Sequence, residues 1–461
     1  MKKIFLYGLL LSSLSLFPGC TDFLEKEPPL YVTEADVFGD ADRLEANVNS
    51  LYQGLKSQYA MGGKGFVIID NIGDDFINIS GNGYELDFTY NLKATLDRQE
   101  VYEFWRYTYL AINRVNTFLK NAELNKDVIG AKYDQYVAEA KFVRALSYFY
   151  LHQLYTMPYV LDPNAKSVLL RLEAEGDLTN NDMARSSSTE VLAQILLDLE
   201  GSSALPAGSG TAAFVTHATQ GAAEALKQRV YLVKGEWDNV IASGNKITGY
   251  ELASDIETVF RPPYITSENI FSFPFDATNR PGQQYATGYF YINGRSMDVD
   301  VATGIVSIPG YNNPKDARID KLTKGKLFTK YTNTTYIDWL PILRYAEVLL
   351  NSAEAYANQG KSAEALALLK QVRARSLDPA NDTFKLDGLT GDALKTAIYN
   401  ERRLEFMGEG IRALDIFRRG ETIRKQPGTD HELVASPQLG INGYIYPIPQ
   451  FERAQNKLIV D

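Results

Sequence analysis

Glu401 and Glu405 stand four residues apart, a spacing that puts both carboxylates on one face of a helix. A carboxylate pair is what a glycosidase requires, one group as acid and the other as base or nucleophile. Here Arg402, Arg403 and Arg412 crowd the pair, and carboxylates held ionised by arginine are poor general acids. The expected arrangement is therefore an ion-pair network joining the last helices, with Arg412 and Asp415 included. The three histidines, His152, His217 and His431, are far apart in sequence and lack metal-ligand spacing. No Gly-x-Ser-x-Gly elbow is present. The glycine clusters Gly62, Gly63, Gly65 and Gly81, Gly83 lack the strand and helix of a phosphate loop and read as turns. Asp70, Asp74 and Asp75, beside Asn71 and Asn78, are candidate calcium ligands by residue type. Their spacing does not match an EF-hand, and calcium takes about six to eight oxygens, so a turn-forming loop is expected instead. These residues predict neither an enzyme nor a cofactor.

Binding chemistry is better supplied. Residues 61–92 and 261–339 are rich in Gly, Asn, Pro, Asp and Tyr, and read as two long loops. Loops of that length in a compact protein are usually functional. A sugar ring presents an apolar C–H face and a rim of hydroxyls. Aromatic side chains cover the first, and amides and arginines serve the second. The first loop offers Tyr84, Phe88, Tyr90 and Asn91. The second offers Gln283, Gln284, Tyr285, Tyr289, Tyr291, Asn293 and Arg295, and its 285–295 cluster is the favoured site. Trp105, Trp237 and Trp339 lie at or in helical segments and are assigned to packing.

The chain holds one cysteine, Cys20. Before it come Lys2 and Lys3, an apolar run over 4–17, and Pro18-Gly19, the layout of a secretory signal. Gly19-Cys20 resembles the cleavage site of a bacterial lipoprotein, whose cysteine receives the lipid. Several acyl chains at about 0.8 kcal/mol per buried CH₂ would hold the protein to a membrane. Removal of residues 1–19 leaves 45 basic and 57 acidic residues, a net charge of −12. An acidic surface without basic clusters argues against nucleic acid.

Residues 20–40 read as a tether and 41–461 as one helical domain. Helical periodicity covers 42–57, 101–121, 133–155, 190–199, 218–248, 343–360 and 362–375. Two stretches, 222–247 and 343–375, share a plan: a helix, an aromatic (Tyr231 or Tyr356) four residues before a glycine, then a second helix. They look like degenerate tetratricopeptide repeats, separated by roughly 90 residues of other sequence.

Six segments together resemble the SusD/RagB family of outer-membrane lipoproteins in Bacteroidetes nutrient uptake. They are CTDFLE at 20–25, WRYTYLAINRVN at 105–116, EAKFVRALSYFYL at 139–151, WLPILRYAEVLLNSAEA at 339–355, ERRLEFMGEGIRALD at 401–415 and YPIPQ at 446–450. The resemblance spans the mature chain. It implies an all-α fold of tetratricopeptide-like helix pairs carrying a loop-rich, irregular ligand face. It also implies capture of a nutrient glycan at the cell surface, in the outer membrane and facing outward, as lid of a TonB-dependent β-barrel transporter. Family ligand aromatics come from loops in the two regions named above. Capture of peptides within the same architecture, or a tetratricopeptide scaffold binding protein alone, are the alternatives.

Overall fold

The computed structural model describes residues 38–176, 181–299, 305–310, 313–324, 327–425, 432–439 and 443–459. The signal segment 1–19, Cys20, most of the tether and His431 lie outside them. The principal helices are α1 (Ala41–Leu55), α2 (Lys64–Ile72), α3 (Gln99–Leu124), α4 (Tyr133–Tyr155), α5 (Ser188–Asp198), α6 (Gln220–Lys234), α7 (Trp237–Lys246), α8 (Tyr345–Asn358), α9 (Ser362–Ser376), α10 (Gly391–Glu405) and α11 (Arg412–Arg418). Short strands form antiparallel pairs: β1 (Phe76–Asn78) with β3 (Met297–Val299), β2 (Asn269–Phe273) with β4 (Leu340–Arg344), and β5 (Ile423–Lys425) with β6 (Leu433–Ala435). The helices dominate, as the all-α reading required.

The two similar sequence stretches end their first helices in the same way. Gly235 after α6 has φ 68° and Gly360 after α8 has φ 74°, the left-handed region that glycine enters without a Cβ clash. The next amide closes each turn, Glu236 donating to the Tyr231 carbonyl at 3.0 Å and Lys361 to that of Tyr356 at 2.9 Å. The pairs also stack on each other, α7 packing against α8. Gln228 bridges them, its amide donating to the carbonyl of Val348 (3.3 Å) and to Ser352 Oγ (3.0 Å), while Asn351 donates back at 3.1 Å.

Helical periodicity misplaces two segments. The helix expected from Leu343 begins at Tyr345, and the residues before it form β4. All five residues of β4 and all five of β2 are buried. A short apolar run buried on both faces has no period to distinguish strand from helix. The β2–β4 pair clamps the base of the excursion between the helix pairs, with Phe273 opposite Leu340 and Asn269 opposite Arg344. The first expected loop instead contains α2, in which every residue is buried. A helix buried on every side shows no solvent-facing stripe, and its polar residues Lys64, Asp70 and Asn71 find partners inside the protein. The β1–β3 pair then joins the two expected loops into one face, setting Phe76 opposite Val299 and Asn78 opposite Met297.

Beneath this face lies a buried ion network. Glu405 accepts from Arg344 Nη1 at 2.9 Å, from Arg318 at 3.3 Å and from Arg375. Glu401 accepts from Arg318 at 2.5 Å and from Arg373 at 2.7 Å. Arg402 instead binds Asp415 at 2.8 Å, and Asp415 binds Arg418 at 2.9 Å. The glutamates are held by arginines as expected, but by distant ones: Arg402 and Asp415 form a separate group with Arg418, and Arg412, expected in the network, binds Asp74 instead.

Candidate functional site

The turn from α1 to α2 builds the site. A Cβ on Gly62 would sit 1.8 Å from the Lys56 carbonyl oxygen, and one on Gly63 would sit 2.2 Å from that of Gln58. Only glycine lets this chain double back so tightly. The turn presents Tyr59, whose ring stacks on Tyr107 of α3 (centroids 4.5 Å apart, 30° between planes) and meets Tyr285 edge-on at 4.7 Å. The segment bearing Tyr285 is tied to the same turn. Gly282 N donates to Gln58 Oε1 at 3.1 Å, and Thr287 Oγ1 donates to the Gly63 carbonyl at 2.9 Å. Hydrogen bonding with Tyr59, with some burial, pushes the Tyr285 hydroxyl up to about 12. It is therefore a neutral donor at physiological pH.

Lys64, the first residue of α2, joins the two loops expected to bind. Its Nζ donates to the Tyr84 carbonyl at 2.8 Å and lies 4.9 Å from the Tyr285 ring centre. Tyr84 itself is 62% exposed. Phe88 lies under the Arg98 guanidinium, 3.4 Å from its carbon to the ring centroid. Lys64, Tyr84, Phe88, Arg98 and Glu100 line a cleft of about 330 Å³. The half-buried tyrosines 59, 107 and 285 thus form a platform with polar groups along one edge, the combination a sugar ring calls for. A Gly62→Ala change is expected to unmake the turn, lowering stability by about 2 kcal/mol in urea unfolding and removing ligand binding with it.

The structure divides the residues expected to bind. Tyr84, Phe88 and Tyr285 reach the face, Gln283 and Gln284 are exposed, and Arg295 is exposed above the Tyr289 ring at 4.1 Å. Tyr90, Tyr289 and Tyr291 are corrections: they are core residues, exposed by 3%, 3% and 0%. Lys425 covers the Tyr90 ring, Tyr289 packs edge-on to Phe290 and Tyr336, and Tyr291 packs against Phe76, Phe328 and Tyr331. Asn91 is turned back to Asp87, donating to its carbonyl at 2.9 Å. The side chain of Asn293 lies outside the described residues. Tyr59, Tyr107, Lys64 and Arg98 were not among the expected residues. Tyr107 did carry a signal, because at two positions from Trp105 it must face away from the side that Trp105, Ile112 and Val115 bury.

The acidic stretch is an anchor. Asp74 binds Arg412 at 2.6 Å, Asp75 binds Arg403, and Asp70 accepts from Tyr291 at 2.5 Å and from the Gly410 amide at 3.2 Å. Calcium would have to displace two guanidinium groups, so Asp70, Asp74 and Asp75 do not converge as a cation site. No cluster of potential metal ligands occurs among the described residues. Burial raises Asp70 to about 8, against hydrogen bonds from Tyr291 and Gly410. A raised acid costs stability as pH climbs from its unfolded value, about 3.9, toward 8. Asp70→Asn is therefore expected to flatten the decline in urea midpoint between about pH 5 and 8; an unchanged slope would refute that assignment.

No catalytic constellation is assembled by the described histidines. His152 is buried, hydrogen-bonded to Ser188 and Gln153, and burial lowers it to about 3. His217 bonds Asn49 and Thr216. Trp105 is buried with its indole N–H on Glu452, and Trp339 stacks on Tyr264 and donates to the Phe275 carbonyl. No helix of the described residues is long and apolar enough to cross a membrane.

Known proteins with this architecture decide the family. Residues 302–461 match the sequence model of the SusD family, and 22–232 match a SusD-like model described as starch-binding associating with the outer membrane. A crystal structure of a SusD superfamily protein from Bacteroides fragilis is 47% identical, covering 92% of this chain and 100% of that one, with a TM-score of 0.90. This chain belongs to the SusD family. SusD-like protein P38 of Formosa agariphila is 26% identical over 92% of both chains. A laminarin-binding SusD-like protein is 20% identical, covering 91% of this SusD-family chain and 98% of that one, and shares its fold, with a TM-score of 0.69.

Proposed function

We propose that this SusD-family protein is a surface lipoprotein that binds an oligosaccharide on the Tyr59–Tyr107–Tyr285 platform and passes it to a TonB-dependent β-barrel transporter. The platform is the observation that carries the reading: the Tyr59 ring in contact with both Tyr107 and Tyr285, with the exposed Tyr84 and the Phe88–Arg98 stack beside them. Stacked rings offer apolar faces to sugar C–H groups, and their hydroxyls and the neighbouring side chains offer hydrogen bonds to the rim. The starch-binding description of the model matched at 22–232 supports a carbohydrate ligand. Lipidation at Cys20 would hold the body at the outer membrane, facing outward, without any spanning helix. Binding with no chemical step is the role these side chains support, since the paired carboxylates are consumed by arginines.

Native gels containing plant, host or microbial polysaccharides test the reading on the soluble form, residues 21–461. Retardation by one glycan class is expected. Retardation by none, with peptides binding in solution, would replace it by peptide capture. The transporter is tested separately by purifying the full-length chain from outer membranes, where a β-barrel protein is expected to copurify in stoichiometric amount.

A further inference from the structure

Arg98 sets the cleft beside the platform apart from the ion network below it. Network arginines each bind carboxylates: Arg318 takes Asp316, Glu401 and Glu405, and Arg344 takes Glu268, Glu405 and Glu409. Arg98 forms no such ion pair among the described residues, and its Nε is buried without a hydrogen-bond partner. Its acidic neighbours Asp97 and Glu100 lie within electrostatic range of it, yet each accepts from a hydroxyl instead of the guanidinium, Asp97 from Thr95 at 2.5 Å and Glu100 from Thr89 at 3.3 Å. The guanidinium carbon lies 3.4 Å over the Phe88 centroid, so the ring covers one side of the group where it lines the cleft. The Lys64 ammonium stands on the same cleft wall and adds positive charge. Glu100 is the one carboxylate lining the space, buried at 7% exposure, where burial raises its pKa.

A neutral sugar has no use for a stacked guanidinium whose fork makes no ion pair. We propose that this cleft recognises an anionic substituent of the bound glycan, the carboxylate of a uronic acid or a sulfate ester, with Arg98 as the principal contact. The inference rests on the glycan reading above and narrows it to acidic polysaccharides. The planar fork of arginine fits either anion with two parallel hydrogen bonds. A ring stacked behind it fixes the fork in advance and limits the entropy lost on binding. The net negative charge of the protein does not oppose this, because charges beyond about 8 Å are screened at physiological salt.

Matched polysaccharide pairs test the proposal: polygalacturonate against its fully methyl-esterified form, and a sulfated galactan against its desulfated form. Each is run on affinity gels with the soluble protein, with Arg98→Gln and with Arg98→Lys. The wild-type protein is expected to prefer the charged member of one pair by about tenfold, and that pair identifies carboxylate or sulfate. Arg98→Gln is expected to erase the preference, bringing the charged member down to the level of the neutral one; Arg98→Lys keeps part of it. High salt acts as Arg98→Gln does. Arg98→Gln has no ion pair to lose and should lower urea resistance only slightly, by the loss of the Phe88 stack. Equal binding of charged and neutral members, or a preference that survives Arg98→Gln, overturns the inference and leaves glycan capture standing. Failure of every polysaccharide, charged or neutral, overturns both.

Discussion

Replacing Tyr59 and Tyr285 together with alanine is expected to abolish glycan retention while the protein stays folded. The two rings touch each other, and Tyr59 carries the stack on Tyr107, so the pair is the centre of the platform. Aromatic anchors at the centre of a contact surface typically cost about 2 kcal/mol or more on truncation, a loss of at least about thirtyfold. For a shallow site that moves binding beyond the range of a gel. The stability cost should stay small, because both rings are only half buried and neither backbone segment depends on them. The Gly282 amide still reaches Gln58, and Thr287 still reaches the Gly63 carbonyl. Tyr289→Phe serves as the contrast. Its ring is core, so retention should be unchanged, and a loss there with no loss in the double variant would move the site away from the platform.

Arg344→Met is expected to cost the fold about 3–5 kcal/mol in chemical denaturation, the penalty for taking one partner out of a buried ion network and leaving its carboxylates in excess. Arg344 sits at 2% exposure between Glu268, Glu405 and Glu409, all buried. It also lies on β4, next to the first residue of α8, so it ties the excursion to the helix pairs. Removing it leaves Glu409 with Lys330, Glu268 with Arg375, and Glu405 with Arg375 and Arg318. The network also predicts acid sensitivity. Burial pushes Glu405 up, but Arg375, Arg344 and Arg318 more than offset it and hold the carboxyl well below the usual range. A depressed acid adds stability above its unfolded pKa, about 4.3, and that stability is lost as pH falls further. Wild type should therefore lose urea resistance steeply below about pH 4, and Glu405→Gln should start lower and fall less. A Glu405→Gln protein as stable as wild type at neutral pH would contradict this account.

The helix pairs were legible from sequence because their determinants are local. Tyr231 and Gly235, or Tyr356 and Gly360, fix a turn through one backbone conformation and one hydrogen bond, and neither needs a distant partner. The inward faces of α3 and α9 follow a 3.6-residue period, so Trp105, Ile112, Leu369 and Val372 could be placed in the core. Buried elements were less legible. Helix α2 and strand β4 are buried on all sides, so no alternation of inward and outward residues marks them in the sequence.

The ligand face was legible only in composition. Its two segments are rich in tyrosine, yet Tyr285 reaches the surface and Tyr291, six residues later, is fully buried with its hydroxyl on Asp70. No spacing rule separates them, because irregular chain has no period. Pairing by charge was similarly ambiguous: Arg402 and Arg403 flank Glu401 and Glu405, yet bind Asp415 and Asp75. Helix geometry turns neighbouring positions about 100° apart, so adjacent opposite charges need not meet. From the sequence alone came the helical class, the family, the paired helices and the expectation of a surface anchor at Cys20. Tertiary structure decided which aromatics form the platform, since Tyr59, Tyr107 and Tyr285 come from three distant segments held together by the glycine turn at 62–63 and the Gln58–Gly282 bond.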